Sequence, residues 1–379
     1  MTQHNLIPES KLPLLGTTIF SQMSALAQQH NAINLSQGFP DFSGPDYLQQ
    51  RLAYHVSQGA NQYAPMTGAL PLREAIAEKT ARLYDYRPDV ETEITVTAGA
   101  TEALYAAITA LVRPGDEVIC FDPSYDSYAP AVELSGGVMK RITLQPPAFR
   151  VDWQAFAALL SDKTRLVILN TPHNPSATVW QQQDFAALWQ AIAARPVYVL
   201  SDEVYEHICF DQAGHASVLA HPELRQRAIA VSSFGKTFHM TGWKVGYCIA
   251  PAAISAELRK VHQYLTFSVN TPAQLAIADM LREHPELKAI LASNDNMALG
   301  AVAAIKSAGK TGKVLVVGYD NISAIKPMLA DGRVLATVDQ YGAKQAVFGI
   351  DTALKAIKEK KAQKDLAPVV ETQVTLVTK

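Results

Sequence analysis

The sequence predicts an α/β protein: a mostly parallel sheet with helices on both faces, followed by a second and shorter α/β segment. Three observations carry this. Short β-rich runs recur along the first three quarters of the chain, helical stretches lie between several of them, and composition changes sharply near His284 while the alternation continues on a shorter period.

The β-rich runs before the break are Ile94–Thr97, Val118–Asp122, Leu166–Asn170, Val197–Asp202, Ala228–Ser232 and Tyr247–Ala250. Thr101–Val112 and Phe156–Leu160 have helical character, and Ala273–Arg282 is patterned as a helix up to the break. After it, Ala289–Ser293, Val314–Tyr319 and Leu335–Val338 are expected strands, with helices at Asn296–Ser307 and Ser323–Leu329. A long amphipathic helix over Ala343–Lys361 and a last strand at Val369–Val377 complete the expectation.

The break is compositional. Before His284 the chain has 7 Lys and 13 Arg; from it onward there are 12 Lys and a single Arg, Arg333. All 4 Trp and all 3 Cys precede it, and net charge passes from −6 to +4. No Gly/Ser/Pro linker separates the parts, so Pro285 is the only punctuation.

A chain of 379 residues is long enough for two or three domains with sizeable cores. It is 48 % hydrophobic and 18 % charged, ordinary for a globular protein. A net charge of −2 offers no field for nucleic acid or a membrane surface. Cys120, Cys209 and Cys248 are odd in number and far apart, which fits a reducing compartment and buried apolar thiols. The first residues lack a basic segment leading into an apolar run, and no stretch is apolar enough to span a bilayer; the expectation is a cytoplasmic protein.

Four motifs carry chemistry. In Ser232-Ser233-Phe234-Gly235-Lys236-Thr237, a lysine directly after a strand and a glycine can be desolvated, which lowers its pKa and frees its amine to attack a carbonyl. A surface loop lysine is the plain alternative. In Leu200-Ser201-Asp202-Glu203-Val204-Tyr205, an Asp at the C-terminal edge of a parallel strand sits where such sheets bind ligands and can keep a pyridine nitrogen protonated; it can equally be an N-cap. In Thr97-Ala98-Gly99-Ala100-Thr101-Glu102, small residues open a helix whose first N–H groups suit a phosphate. In Asn170-Thr171-Pro172-His173-Asn174-Pro175, either Asn can reach a ring oxygen or form an Asx turn.

In this order, each at a strand C-terminus, the four motifs resemble fold-type I enzymes that use pyridoxal 5'-phosphate (PLP), and within them class I aminotransferases of the bacterial group acting on methionine-like or aromatic amino acids. The resemblance covers about residues 5–283. It implies a PLP-transferase-like large domain over 41–283, with 1–40 as the N-terminal part of a small domain. It implies that Lys236 bonds to the cofactor and moves the proton, that Asp202 pairs with the ring nitrogen, and that Tyr205 and Asn174 bind the ring hydroxyl. Ala100, Thr101, Ser233 and Lys244 match the phosphate binders, Tyr125 the ring stacked on the cofactor, and Gly38 a contact of the substrate carboxylate, with Asn174 also binding substrate. Many relatives carry Arg at the position of Lys244. Tyr63 matches a tyrosine reaching the phosphate of the neighbouring subunit, which implies a homodimer. The substrates implied are an amino acid and a 2-oxo acid.

The last quarter departs from that family, whose C-terminal domain supplies an Arg that clamps the substrate carboxylate bidentately. Arg333, in Asp331-Gly332-Arg333-Val334, does not match its context. The segment 284–379 instead resembles, over about residues 286–379, the C-terminal part of periplasmic sugar-binding proteins of the ribose/allose type, through Ala292–Ala301, Val316–Asp320 and Asp331–Gln340. That resemblance implies a half-site of Asn294, Asp320 and Gln340 for sugar hydroxyls; a helix cap and two turn residues are the plain reading. Together the two resemblances imply a fusion, with transaminase activity strongly impaired. A sugar-binding module, or a remnant that only binds PLP, are the alternatives.

Overall fold

The structure is a computed structural model that describes residues 9–13, 15–34, 43–209, 214–283, 289–291, 298–299, 302, 315–339, 341, 350–351, 354–355, 358–359 and 375–378. Two compact units are present, one of residues 1–206 and 215–283, the other of 207–214 and 284–379.

The first unit holds seven strands: β1 (Ile94–Thr97), β2 (Glu117–Asp122), β3 (Val138–Thr143), β4 (Thr164–Asn170), β5 (Tyr198–Asp202), β6 (Ala228–Ser233) and β7 (Gly246–Ile249). They lie in the order β1-β7-β6-β5-β4-β2-β3. Strands β2 to β6 pair in parallel, and β7 is antiparallel to both its neighbours.

The helices of this unit are α1 (Ile19–Gln29), α2 (Asp46–Ser57), α3 (Leu70–Tyr84), α4 (Ala100–Leu111), α5 (Tyr128–Leu134), α6 (Trp153–Leu159), α7 (Gln182–Ile192), α8 (Pro222–Arg225), α9 (Phe234–Thr237), α10 (Ala252–Leu265) and α11 (Thr271–Glu283). Helices α3, α6 and α7 cover one face of the sheet and α4, α5 and α10 the other, because alternate strand residues enter opposite cores. Ile119, Phe121, Val167, Leu169 and Val199 meet Ile76 of α3, Phe156 of α6 and Phe185 of α7 on one face. Val118, Cys120, Leu166, Ile168 and Leu200 meet Ala107 of α4, Val132 of α5 and Leu258 of α10 on the other. Each fully buried Leu or Ile contributes roughly 1.5–3 kcal/mol, so this double core holds the strand ends that build the site. Cys120 and Cys248 are buried within it.

Strand β3 is absent from the sequence reading. It is the sheet edge, half exposed, and carries Lys140 and Arg141, which pair with Glu117 at 3.3 Å and Asp122 at 3.0 Å on β2. Charge on an edge strand hides its β character while protecting the edge. At the other extreme, α1 buries none of its residues, and Ile33 is 87 % exposed.

In the second unit β8 (Ala289–Leu291), β9 (Leu315–Tyr319), β10 (Ala336–Asp339) and β11 (Thr375–Thr378) lie in the order β11-β10-β9-β8. The first three pair in parallel and β11 closes the edge antiparallel. Helix α12 (Lys326–Ala330) gives Met328 and Leu329 to a core with Leu299, Val316, Ile325 and Val334. Most of the helices expected at 296–307 and 343–361 lies outside the described residues. Among the described residues no helix is long and apolar enough to cross a membrane.

Candidate active site

The C-terminal ends of β1, β4, β5 and β6 converge on one cleft, the usual place for a ligand in an open α/β sheet. It encloses about 180 Å³ and is lined by Gly99, Ala100, Thr101, Tyr125, Asn170, Asn174, Asp202, Tyr205, Ser233, Lys236 and Lys244, with Leu104, Val204, Gly235, Thr241 and Val245. Eleven of these residues, up to 137 positions apart, come from the four motifs, and Tyr125 and Lys244 join them there.

Asp202 ends β5 and is buried. Its Oδ2 accepts from the Tyr128 hydroxyl at 2.6 Å and its Oδ1 from the Val204 N–H at 3.3 Å. Burial pushes its carboxyl up to about 6, against those two donors and the charge of Lys236. Burial acts oppositely on Lys236: it lowers the amine below the ordinary lysine value, with Asp202 opposing and Lys244 assisting. The Lys236 ammonium lies 5.5 Å from the centre of the Tyr205 ring.

Asn174 donates to the Tyr205 hydroxyl at 3.3 Å. Asn170 positions that pair: its Oδ1 accepts the Asn174 N–H at 2.7 Å, and its Nδ2 donates to the Asp202 carbonyl at 2.9 Å. Burial raises the Tyr205 phenol, as does the charge of Asp202, and the Asn174 donor counters both. Tyr125 meets Tyr128 edge-on, with ring centres 5.7 Å apart.

The far end of the cleft is built from glycines. Gly99 caps α4 with φ 79° and ψ 171°, a backbone essentially closed to other residues. A Cβ there would lie 3.2 Å from Lys244 Nζ, so the ammonium sits against the start of α4. A Cβ on Gly246 would lie 2.8 Å from the Ala100 nitrogen and from the Ser232 carbonyl oxygen. This absence of side chains brings β7, the first N–H groups of α4, Ser233 and Lys244 around one space. Free N–H groups, a hydroxyl and a cation fit a phosphate there. A carboxyl, a lysine and a phenol at the other end fit a pyridine ring with an aldehyde. The residues present thus fit PLP.

Tyr63 is not part of this cleft. It is 82 % exposed, edge-on to Phe267 at 5.5 Å, over a separate depression. Gly38, Asn294 and Gln340 lie outside the described residues. Asp320 follows β9 with φ 113°, and its N–H bonds the Val338 carbonyl at 2.7 Å. Arg333 is engaged within its own turn: Nε lies 3.0 and 2.9 Å from the two Asp331 oxygens and Nη2 lies 2.7 Å from one. The sequence reading missed Tyr128 and Thr241.

A buried acid and an amine at the mouth of one cleft, beside a glycine-lined anion cradle, define a site for a phosphorylated carbonyl cofactor. The match to the family Aminotransferase class I and II runs over residues 30–310, and the chain belongs to that family. The cofactor of such enzymes is PLP. The chain is 81 % identical over 286 residues to the methionine aminotransferase of Escherichia coli K12, covering 76 % of this chain and 74 % of that protein. It is 41 % identical over 271 residues to the probable N-succinyldiaminopimelate aminotransferase of Mycobacterium tuberculosis, covering 71 % and 68 %. The crystal structure of the Escherichia coli protein YbdL, described as a methionine aminotransferase, superposes with a TM-score of 0.71 over 74 % of this chain and 73 % of that one, at 81 % identity.

Proposed function

We propose that the chain is a PLP-dependent aminotransferase exchanging the amino group of a methionine-like or aromatic amino acid with a 2-oxo acid. The single observation that carries this is the meeting of Lys236 and Asp202 in one cleft, the carboxyl buried and the amine partly shielded above it. Support for the donor class comes from the 81 % identity to a methionine aminotransferase.

The proposed roles are those the family resemblance implies, and the layout of the cleft supports them. Lys236 has a lowered pKa, so its amine can bond to the cofactor aldehyde, and once displaced it can take and return the proton at the substrate Cα. When bound, PLP supplies an electron sink for the pair left at Cα. Asp202 holds the proton on the ring nitrogen by charge, with Tyr128 and Val204 supporting its ionised form. Tyr205 and Asn174 hold the ring hydroxyl, and Tyr125 covers the ring. Ala100, Thr101, Ser233 and Lys244 hold the phosphate, and Lys244 does so as a point charge where Arg would bind as a fork. We assign Tyr63, outside this cleft, to the site of a second copy in a homodimer, and the protein to the cytoplasm.

The carboxylate end is where the chain is weakest. From residue 284 on, its one Arg is Arg333, already held by Asp331. Without a bidentate clamp the substrate loses on the order of 1.5–3 kcal/mol of charge-assisted hydrogen bonding, so turnover with methionine is expected far below that of an intact enzyme. An absorbance spectrum of the protein with PLP, before and after methionine, tests both statements. Covalent attachment at Lys236, trapped by borohydride, is the expected result. Failure to attach would remove the aminotransferase reading, and fast conversion by methionine would remove the impairment.

A further inference from the structure

Glu102 poses a problem for the phosphate cradle. It sits in the first turn of α4, one residue past Thr101, where an anion opposes a phosphate. It is buried, so water does not screen it. The structure shows how the charge is managed. One carboxylate oxygen accepts the Ala98 N–H, and Oε1 faces Nδ1 of His262, a fully buried residue of α10. On the other side of the ring, Nε2 lies 2.8 Å from the Met66 carbonyl oxygen.

That carbonyl is a fixed partner. The segment leading to it is pinned at alternate carbonyls, Gln62 by the Thr271 hydroxyl at 2.6 Å and Ala64 by the Ser268 hydroxyl at 2.9 Å. A carbonyl only accepts, so Nε2 of His262 carries a hydrogen. The contact between Nδ1 and Glu102 then contains one further proton, given either by an imidazolium to a carboxylate or by a carboxyl to an imidazole. In both forms the pair is electrically neutral.

We propose that His262 is a positioning residue for the phosphate end of the cofactor: it neutralises Glu102 and turns its carboxyl away from the N–H groups of Ala100 and Thr101. This rests on the reading that those groups bind the phosphate. The effect is therefore specific to the phosphate dianion and not to the pyridine ring.

The test compares PLP with pyridoxal, which lacks the phosphate, by binding titrations on the purified full chain, followed by absorbance and tryptophan fluorescence. His262→Gln keeps a donor for the Met66 carbonyl and removes the neutralising proton. It should weaken PLP about tenfold and pyridoxal less than about twofold. Glu102→Gln alone should leave PLP as tight or tighter, and adding it to His262→Gln should restore PLP to within about threefold of the parent. Equal losses for both ligands, no rescue in the double variant, or a weaker PLP complex in Glu102→Gln would each overturn the proposal. If the parent itself does not prefer PLP over pyridoxal, the phosphate reading beneath it fails instead, and the proposal with it.

Discussion

The Tyr128 hydroxyl donates to Asp202 at 2.6 Å, joining α5 to the end of β5 across 74 residues of sequence. It is the strongest donor to a carboxyl that burial pushes up to about 6. Without a cofactor the buried carboxylate is therefore a liability to the fold. The folded state holds the proton between the ordinary pKa of 3.8 and about 6, and the unfolded state has already released it. Stability consequently falls as pH rises through that window and stays reduced above it.

Asp202→Asn should thus stabilise the protein without cofactor at pH 8, on the order of 3 kcal/mol for a shift of about two units, and the gain should vanish near pH 3. Denaturant unfolding at the two pH values measures it. The same variant should bind PLP much more weakly, because no charge then holds the proton on the ring nitrogen. A variant less stable at pH 8 than at pH 3, relative to the parent, would contradict the assigned environment.

Tyr128→Phe acts on the same carboxyl in the opposite sense. Its hydrogen bond lowers the Asp202 pKa, so losing it raises that pKa further above the ordinary value. Ionisation of Asp202 then requires a higher pH. The acid limb of PLP binding should move upward, by about one unit for a charged hydrogen bond of roughly 1.5 kcal/mol. Titrations across the pH range check this, and an unmoved limb would show that Asp202 does not govern binding.

Lys244 influences Lys236 as well as the phosphate end. Its charge helps lower the Lys236 pKa, so Lys244→Met should raise it toward the ordinary lysine value. Less free amine is then present at neutral pH. Covalent capture of pyridoxal at Lys236, trapped with borohydride, should slow at pH 7 and recover at pH 9. Pyridoxal is the right probe because it removes the loss of phosphate binding from the comparison. A rate independent of pH in both proteins would refute the coupling.

The cleft was legible because its residues sit at strand ends, and strand ends show in sequence as a change from apolar runs to Asp, Asn, Gly or Ser. Lys236, Asp202, Asn174 and Thr101 were found in that way, and they line one space. Tyr128 was not, because it reaches Asp202 only through the packing of α5 on the sheet. Glu102 and His262 stayed hidden for the same reason: 160 residues separate them, and neither residue type on a helix announces a partner. The sheet was read as mostly parallel, which β2 to β6 satisfy, but the edge strand β3 escaped because its outward residues are charged. Local patterns report local geometry; pairings made by tertiary packing leave no periodic trace.

Gly246 offers the sharpest test of the cradle, since its closeness to α4 is a matter of backbone against backbone. A methyl group there would stand 2.8 Å from the Ala100 nitrogen and 2.8 Å from the Ser232 oxygen, and neither can rotate away. Gly246→Ala must push β7 from the start of α4, at a cost typical of overpacking, about 1–3 kcal/mol. Gly115→Ala is the control. It places a methyl in open space at φ 85°, so it carries only the strain of a left-handed backbone, about 1 kcal/mol. Both should lower the unfolding midpoint, but only Gly246→Ala should weaken PLP, because only there does the lost packing open the space between Lys244, Ser233 and α4. Equal PLP affinity in the two variants would place the phosphate elsewhere.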